Sequence, residues 1–416
     1  MQHKDVVIIG AGIIGLSIAW QVARRSDLKV LVLEKGSAIG EGSTGASSAV
    51  CRYRYTRTEM VYLARDGINA YRHWSQFTGL KQPRAEFHQH GVLWMPGEDR
   101  EWSQREHKRM AELGIATAVL EDAELKRLFP AFNPCTLAAD TVADLADDQA
   151  HNCRGGGAHL LELEGGYIDP VAAAEDLLEA CRGKGVEVRF NAAVAEVTTV
   201  GGRVDGVRLA NGETVSCAHV VNASGPWCNT ILGSLGLKLP WTLTPTRIQV
   251  LYLDRPTELR GDIPVTVDMS SGIYFRLQNR GQQLVVGSTL EEDEQEVVAN
   301  PDEFNRFADD HFTHARIHAL HHRLPSLPYR GAIKGYCGLY TINREDVHPI
   351  IGESAISGFF AVNGFSGHGF KLAPAVGSLV ARLLTGKSLD FDTEVPIEFF
   401  ALDRHPIDLG SKSVLA

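Results

Sequence analysis

Three glycines and one carboxylate carry the first recognisable chemistry of this 416-residue chain. Gly10, Gly12 and Gly15 follow the apolar run Val6–Ile9, and Glu34 closes a second apolar run, Val30–Leu33. Glycines at this spacing suit a tight turn, the approach of a pyrophosphate to the backbone and close packing of a helix on a strand. Ile13 and Ile14 open the helical stretch, whose N-terminal N–H groups would face the phosphates. An acid about 20 residues beyond the glycines accepts the hydroxyls of a ribose and repels a 2′-phosphate, which favours FAD or NAD over NADP. Lys35 follows that acid directly.

Other stretches offer compatible chemistry. Residues 36–58 are rich in glycine and serine, and Ser43, Thr44, Ser47 and Ser48 suit a loop that wraps a diphosphate or approaches a flat ring. The loop runs into Arg52, Arg54 and Arg57, a local cluster suited to an anion. A buried strand, His219–Asn222, leads into Ala223, Gly225 and Trp227 at the carboxyl end where open α/β sheets bind ligands, and Val194 is assigned to the same site. A second glycine-rich turn carries Gly364, Gly367, His368, Gly369, Phe370 and Lys371 at the start of a helix. Its positive N-terminal end would stabilise the anionic N1 and C2=O edge of a reduced flavin. His314, His318 and His321–His322 have helical spacing, but no nearby acid or cysteine completes a ligand set, so they read as surface or core histidines and no metal is expected.

These residues need an alternating scaffold to hold them. The apolar positions Met60, Leu63, Ile68, Tyr71, Trp74 and Phe77 predict one amphipathic helix over 59–79, with its aromatics in the core. Residues 87–95 read as a strand, 101–114 as a helix closed by Gly114, and 125–132 as a short helical turn broken by Pro130. A helix over 169–185 starts with an acidic cap and a proline, and residues 186–225 form a meander that feeds one more buried strand. Strands dominate 241–330, with 291–296 a solvated acidic face. The last helix buries Leu372, Val376, Leu379, Val380 and Leu383. The fold class is α/β, with two interleaved domains expected for this length.

Composition narrows the function classes. A net charge of −10 argues against a nucleic-acid partner. The seven cysteines are scattered without CxxC spacing and read as buried thiols in a reducing compartment. No apolar segment of about 18 residues free of glycines remains to span a membrane, and a cytoplasmic enzyme is expected.

The motifs together resemble the FAD-dependent amino-acid oxidoreductases of the glycine oxidase, sarcosine oxidase and dimethylglycine dehydrogenase superfamily. The resemblance rests on VVIIGAGIIGLSIAWQVA with LVLEK, GSTGASSAVCR, VVNASGPW, GLYTINREDVHPIIG and GFSGHGFKLAPAVGSLVARLLTG. It implies a discontinuous Rossmann-like FAD-binding domain from 1–85, 146–230 and 331–390. An interleaved antiparallel β-sheet substrate domain from 86–145 and 231–330 would close over the flavin, leaving a C-terminal tail at 391–416. By the same resemblance Arg52 and Lys371 hold a substrate carboxylate, Tyr340 lines the substrate pocket, and His368 lies beside the flavin. His348 is a weaker candidate, and no catalytic base is identified.

Departures from the family pattern matter too. Members that attach flavin through cysteine carry it at the position of Gly338, one residue from Cys337, and no histidine follows Glu34 in the glycine-serine loop, so non-covalent FAD is expected. The lysine associated with oxygen reactivity, and the histidine after it, correspond to Val285 and Thr289, although Lys334 could approach from another direction. This favours a dehydrogenase passing electrons to a protein or quinone over an oxidase. The implied reaction is oxidation of a primary or secondary amino acid, N-methyl or cyclic amines included, by hydride transfer to flavin N5, with hydrolysis of the resulting imine. Alternatives are a flavin-dependent 2-hydroxy-acid dehydrogenase and a non-catalytic FAD-containing subunit or assembly factor. Oligomeric state is left open.

Overall fold

The computed structural model describes residues 2–141, 153–325, 332–410, 412 and 415. Val6, Val7 and Ile8 are fully buried because the strand Gln2–Ile9 lies in the middle of a sheet covered on both faces. It pairs in parallel with Val30–Leu33 on one side and Thr214–Asn222 on the other. Phe359–Asn363 and Glu187–Arg189 extend the parallel sheet outward, and the antiparallel strand Ile350–Glu353 ends it. The strands Val194–Val200 and Arg203–Leu209 attach to Thr214–Asn222 as an antiparallel meander.

Helices Ile13–Ala23 and Gly369–Thr385 pack against each other, although they come from opposite ends of the chain. Gly377 permits this approach, since a Cβ there would stand 2.6 Å from the Ser17 carbonyl oxygen. The helix Thr58–Arg72 packs on Gly369–Thr385 in turn, and its apolar residues are buried as their spacing predicts. The predicted helix over 59–79 is nevertheless two helices. His73, at φ −114° and ψ 41°, separates Thr58–Arg72 from Trp74–Thr78. Leu383 is also a correction, being exposed where the long helix turns its last face to solvent.

Among the described residues a second, mostly antiparallel sheet of eight strands runs in the order 334–343, 243–254, 283–288, 273–278, 265–268, 92–95, 158–162 and 117–121. Its apolar face is covered by the helix Asp310–Arg323 through Phe312, Ala319 and Leu320. Two strands depart from the expected partition of the chain. Ala158–Glu162 and Lys334–Asn343 hydrogen-bond into this sheet, through Val92–Met95 and Leu243–Asp254 respectively, whereas 146–230 and 331–390 were expected with the nucleotide sheet. Strand partners are long-range, so local pattern does not assign them. The expected boundaries at 145/146 and 330/331 themselves lie outside the described residues. The strand expected over 87–95 is regular only from Val92 to Met95, because Gly91 takes a positive φ of 84°. Glu294, expected on a solvated acidic face, is buried.

Candidate cofactor and substrate site

A cavity of about 740 Å³ lies where the parallel sheet's carboxyl ends meet the second sheet, a volume suited to a large cofactor. Its floor is the first glycine turn. Gly10 has φ 105°, and a Cβ there would stand 2.6 Å from the Ala223 carbonyl oxygen. A Cβ at Gly15 would stand 1.9 Å from the Gly10 carbonyl oxygen, so Gly15 sets helix against strand and does not face the cavity. Gly12, Ile13 and Ile14 line it. The Ile13 amide donates to Thr44 Oγ1 at 2.9 Å, which fastens the glycine-serine loop over the start of the helix.

Glu34 stands at one end of this floor with its carboxylate held on both sides. Oε2 accepts from the Ala11 amide at 2.9 Å and Oε1 from the Gly36 amide at 2.8 Å. The remaining lone pairs are the acceptors a ribose diol needs. Lys35 lies over the Trp227 ring at 4.4 Å and pairs with Asp302, closing the same end. Val194, Ala223, Gly225 and Trp227 complete that wall, and Ser43, Thr44, Ser47 and Ser48 line the cavity as well. Ser43 Oγ donates to the Leu339 carbonyl at 2.6 Å, so the loop is pinned to the second sheet as well.

The other end is built by Gly338, Tyr340, Gly364, Gly367, Gly369 and Phe370, all in the cavity wall. Gly367 takes a positive φ of 82°, and the helix Gly369–Thr385 begins there with no side-chain cap. An acid-tipped ribose pocket, a glycine floor and an open helix N-terminus at the far end fit the ribose, pyrophosphate and flavin ring of FAD. Tyr340 is kept protonated, since desolvation raises its hydroxyl well above the ordinary tyrosine value.

Arg52, Lys371 and His368 are outside the cavity lining and lie buried around Tyr55. The Arg52 guanidinium lies 4.2 Å and Lys371 Nζ 5.7 Å from the centre of the Tyr55 ring. His368 meets the same ring edge-on at 5.1 Å. The two cations expected from distant parts of the sequence therefore converge. Burial first, and the Arg52 charge second, push Lys371 down to about 7. Glu162 supplies buried negative charge nearby, accepting from the Tyr53 amide at 2.7 Å, the Arg54 amide at 2.9 Å and Trp94 Nε1 at 3.0 Å. Desolvation still raises its carboxyl above the ordinary value.

Some site residues were not anticipated. Arg276 is buried in the second sheet, donates to the Ser48 and Leu277 carbonyls, and lies 4.6 Å from the Tyr167 ring centre. It pairs across the ladder with Val285, so both side chains share a face of the sheet. A charge inside the apolar strand Ile273–Gln278 was the available signal. Val285 is fully buried, and Lys334 is exposed at the start of its strand. Cys337 turns away from the cavity, its Sγ donating to the Phe307 carbonyl at 3.2 Å, while its neighbour Gly338 lines the wall. His348 is buried elsewhere, with Nδ1 donating to the Asp346 carbonyl at 2.6 Å.

Comparison with known proteins agrees with this geometry. The family described as FAD dependent oxidoreductase (DAO) matches residues 5–383. The FAD-dependent oxidoreductase domain-containing protein 1 of Xenopus laevis is 27% identical, covering 92% of this chain and 79% of that protein. Sarcosine oxidase subunit beta of Rhodobacter capsulatus is 24% identical over 92% of this chain and 85% of its own. Among solved structures, L-proline dehydrogenase from P. horikoshii superposes with a TM-score of 0.80 at 23% identity, covering 96% of this chain and 97% of that one. Among the described residues no helix is long and apolar enough to cross a membrane.

Proposed function

From the premise that the chain belongs to the FAD-dependent oxidoreductase family, we propose that it oxidises a primary or secondary amino acid with a free carboxylate. FAD, when bound, supplies the acceptor for the two electrons, so the protein's task is position and charge. Gly10, Gly12, Ile13, Ile14 and Glu34 would hold its nucleotide end, with Gly338 and the turn Gly364–Phe370 at its ring end. The convergence of Arg52 and Lys371 on one buried ring is the observation that carries the substrate reading.

Two cations gathered on one buried ring suit the recognition of an anion. A substrate carboxylate would accept charge-assisted hydrogen bonds from both and hold Lys371 in its protonated form. Tyr340, protonated and in the cavity wall, would donate to the same carboxylate or orient the chain beyond it. The neutral amine is the form from which two electrons can leave. The imine product is then hydrolysed by water. The orientation of Cys337 toward Phe307 supports non-covalent attachment, and acid denaturation should release the flavin into the filtrate.

The test is anaerobic addition of N-methyl, cyclic and primary amino acids while the visible flavin absorption is followed. Bleaching by a member of the panel supports the proposal. Silence toward all amines refutes it, and bleaching by 2-hydroxy acids alone would replace the amine with an alcohol. Reoxidation by oxygen against a dye then separates oxidase from dehydrogenase.

A further inference from the structure

Away from the cavity, the structure gathers two thiols and an imidazole that the reaction does not use. Cys135, Cys153 and His322 place their ligand atoms within 4.8 Å of one another, although they come from three separate segments. Along the sequence no nearby acid or cysteine completes a set with the histidines of the helix Asp310–Arg323. The two cysteines are brought to it by folding alone, while His314 is exposed and His318 bonds the Ala139 carbonyl at 3.1 Å.

We propose that Cys135, Cys153 and His322 form a binding site for one Zn²⁺ ion that clips the helix Asp310–Arg323 to the edge of the second sheet. Two thiolates and an imidazole are ligands zinc takes with water in the fourth position, and sulfur with imidazole disfavours magnesium and calcium. Zinc–sulfur and zinc–nitrogen bonds of about 2.3 and 2.1 Å put tetrahedral ligands roughly 3.4–3.8 Å apart. The three atoms therefore need to close in by only about 1 Å. Cys153 is exposed, which provides an entry path and room for a water as fourth ligand.

The surroundings hold the ligands as an outer shell should. Asn133 touches all three segments: its side-chain amide donates to Cys153 Sγ at 3.5 Å and to the His322 carbonyl at 3.0 Å, and its Oδ1 accepts from the Cys135 amide at 3.2 Å. The Thr136 amide donates to the Arg154 carbonyl at 2.9 Å, which ties the two cysteine segments together. Arg323, next to His322, donates to the Cys135 carbonyl at 3.0 Å and is itself anchored by Asp268 at 2.8 Å. Such a scaffold lowers the entropy lost when an ion joins the three side chains. Binding would deprotonate both thiols and release two protons.

The experiment uses the flavin-loaded full chain, stripped with a chelator under reducing conditions and then titrated with Zn²⁺ alone. The expected result is about one equivalent bound by elemental analysis, and a thiolate-to-metal charge-transfer band when Co²⁺ replaces Zn²⁺. Cys153→Ser should lower Zn²⁺ affinity at least about tenfold and abolish that band, with flavin content and circular dichroism unchanged. His322→Gln should do the same. If it fails to fold, Cys153→Ser alone decides. Binding of less than about 0.1 equivalent by the wild type overturns the proposal, as does equal affinity in Cys153→Ser. A Cys135–Cys153 disulfide that persists through the reduction and leaves no metal bound also overturns it.

Discussion

Replacing Lys371 with methionine tests the substrate reading most directly, because the side chain's volume is nearly kept while its charge is lost. Burial and the neighbouring Arg52 hold Lys371 near 7 instead of its ordinary 10.5, while Cys51 and Glu162 act weakly in the opposite direction. The lowered value makes the empty site prefer the neutral amine above pH 7. A carboxylate ligand requires the ammonium form, so its binding takes up a proton there. Affinity for a small carboxylate such as acetate should be flat below pH 7 and fall about tenfold per pH unit above it, at about 1.36 kcal/mol per unit. In Lys371→Met the slope should vanish. At pH 6 the variant should bind more weakly by about 1.5–3 kcal/mol, roughly 10- to 150-fold, for one lost charge-assisted hydrogen bond. The same lowered value predicts a stability effect in the ligand-free protein. The unfolded chain binds the extra proton between about pH 7 and 10.5, so wild-type stability should rise with pH across that window and the rise should be absent from Lys371→Met. Perturbation of flavin absorption by acetate, titrated from pH 6 to 9, reads the binding; urea midpoints read the stability. An unchanged pH slope in Lys371→Met, or equal affinity at pH 6, would refute the carboxylate role.

Other perturbations address separate parts of the structure. Gly10→Ala puts a methyl group 2.6 Å from the Ala223 carbonyl oxygen at a φ of 105°, and purified protein should carry little FAD by absorbance ratio. Arg276→Met removes the buried cation paired with Val285, and reoxidation by oxygen should slow about tenfold or more relative to a dye acceptor in stopped-flow traces. Asp268→Asn breaks the buried pair with Arg323 and leaves that charge uncompensated, so urea unfolding should show a loss of about 3–5 kcal/mol.

Some features of this protein are legible in the chain alone because their causes are local. The turn Gly10–Gly15, the acid after Val30–Leu33 and the glycine-rich start of the last helix each follow from backbone freedom and apolar period within about 30 residues. The helix Pro170–Gly183 likewise begins where Asp169 caps it, with its carboxylate accepting from the Ala172 amide at 2.8 Å. Resemblance then joined those pieces into one FAD site, and Arg52 and Lys371 into one pair. Pattern could not supply what depends on distant partners. Ala158–Glu162 and Lys334–Asn343 look like strands of either sheet until their ladders are known, and Glu162 and Arg276 are buried only once their own strands are paired. The fall of Lys371 to about 7 is likewise a property of its burial and of Arg52, not of its identity. Cys135, Cys153 and His322 meet for the same reason: the type of a side chain is written in sequence, but its dielectric surroundings and its neighbours exist only once the chain has closed around it.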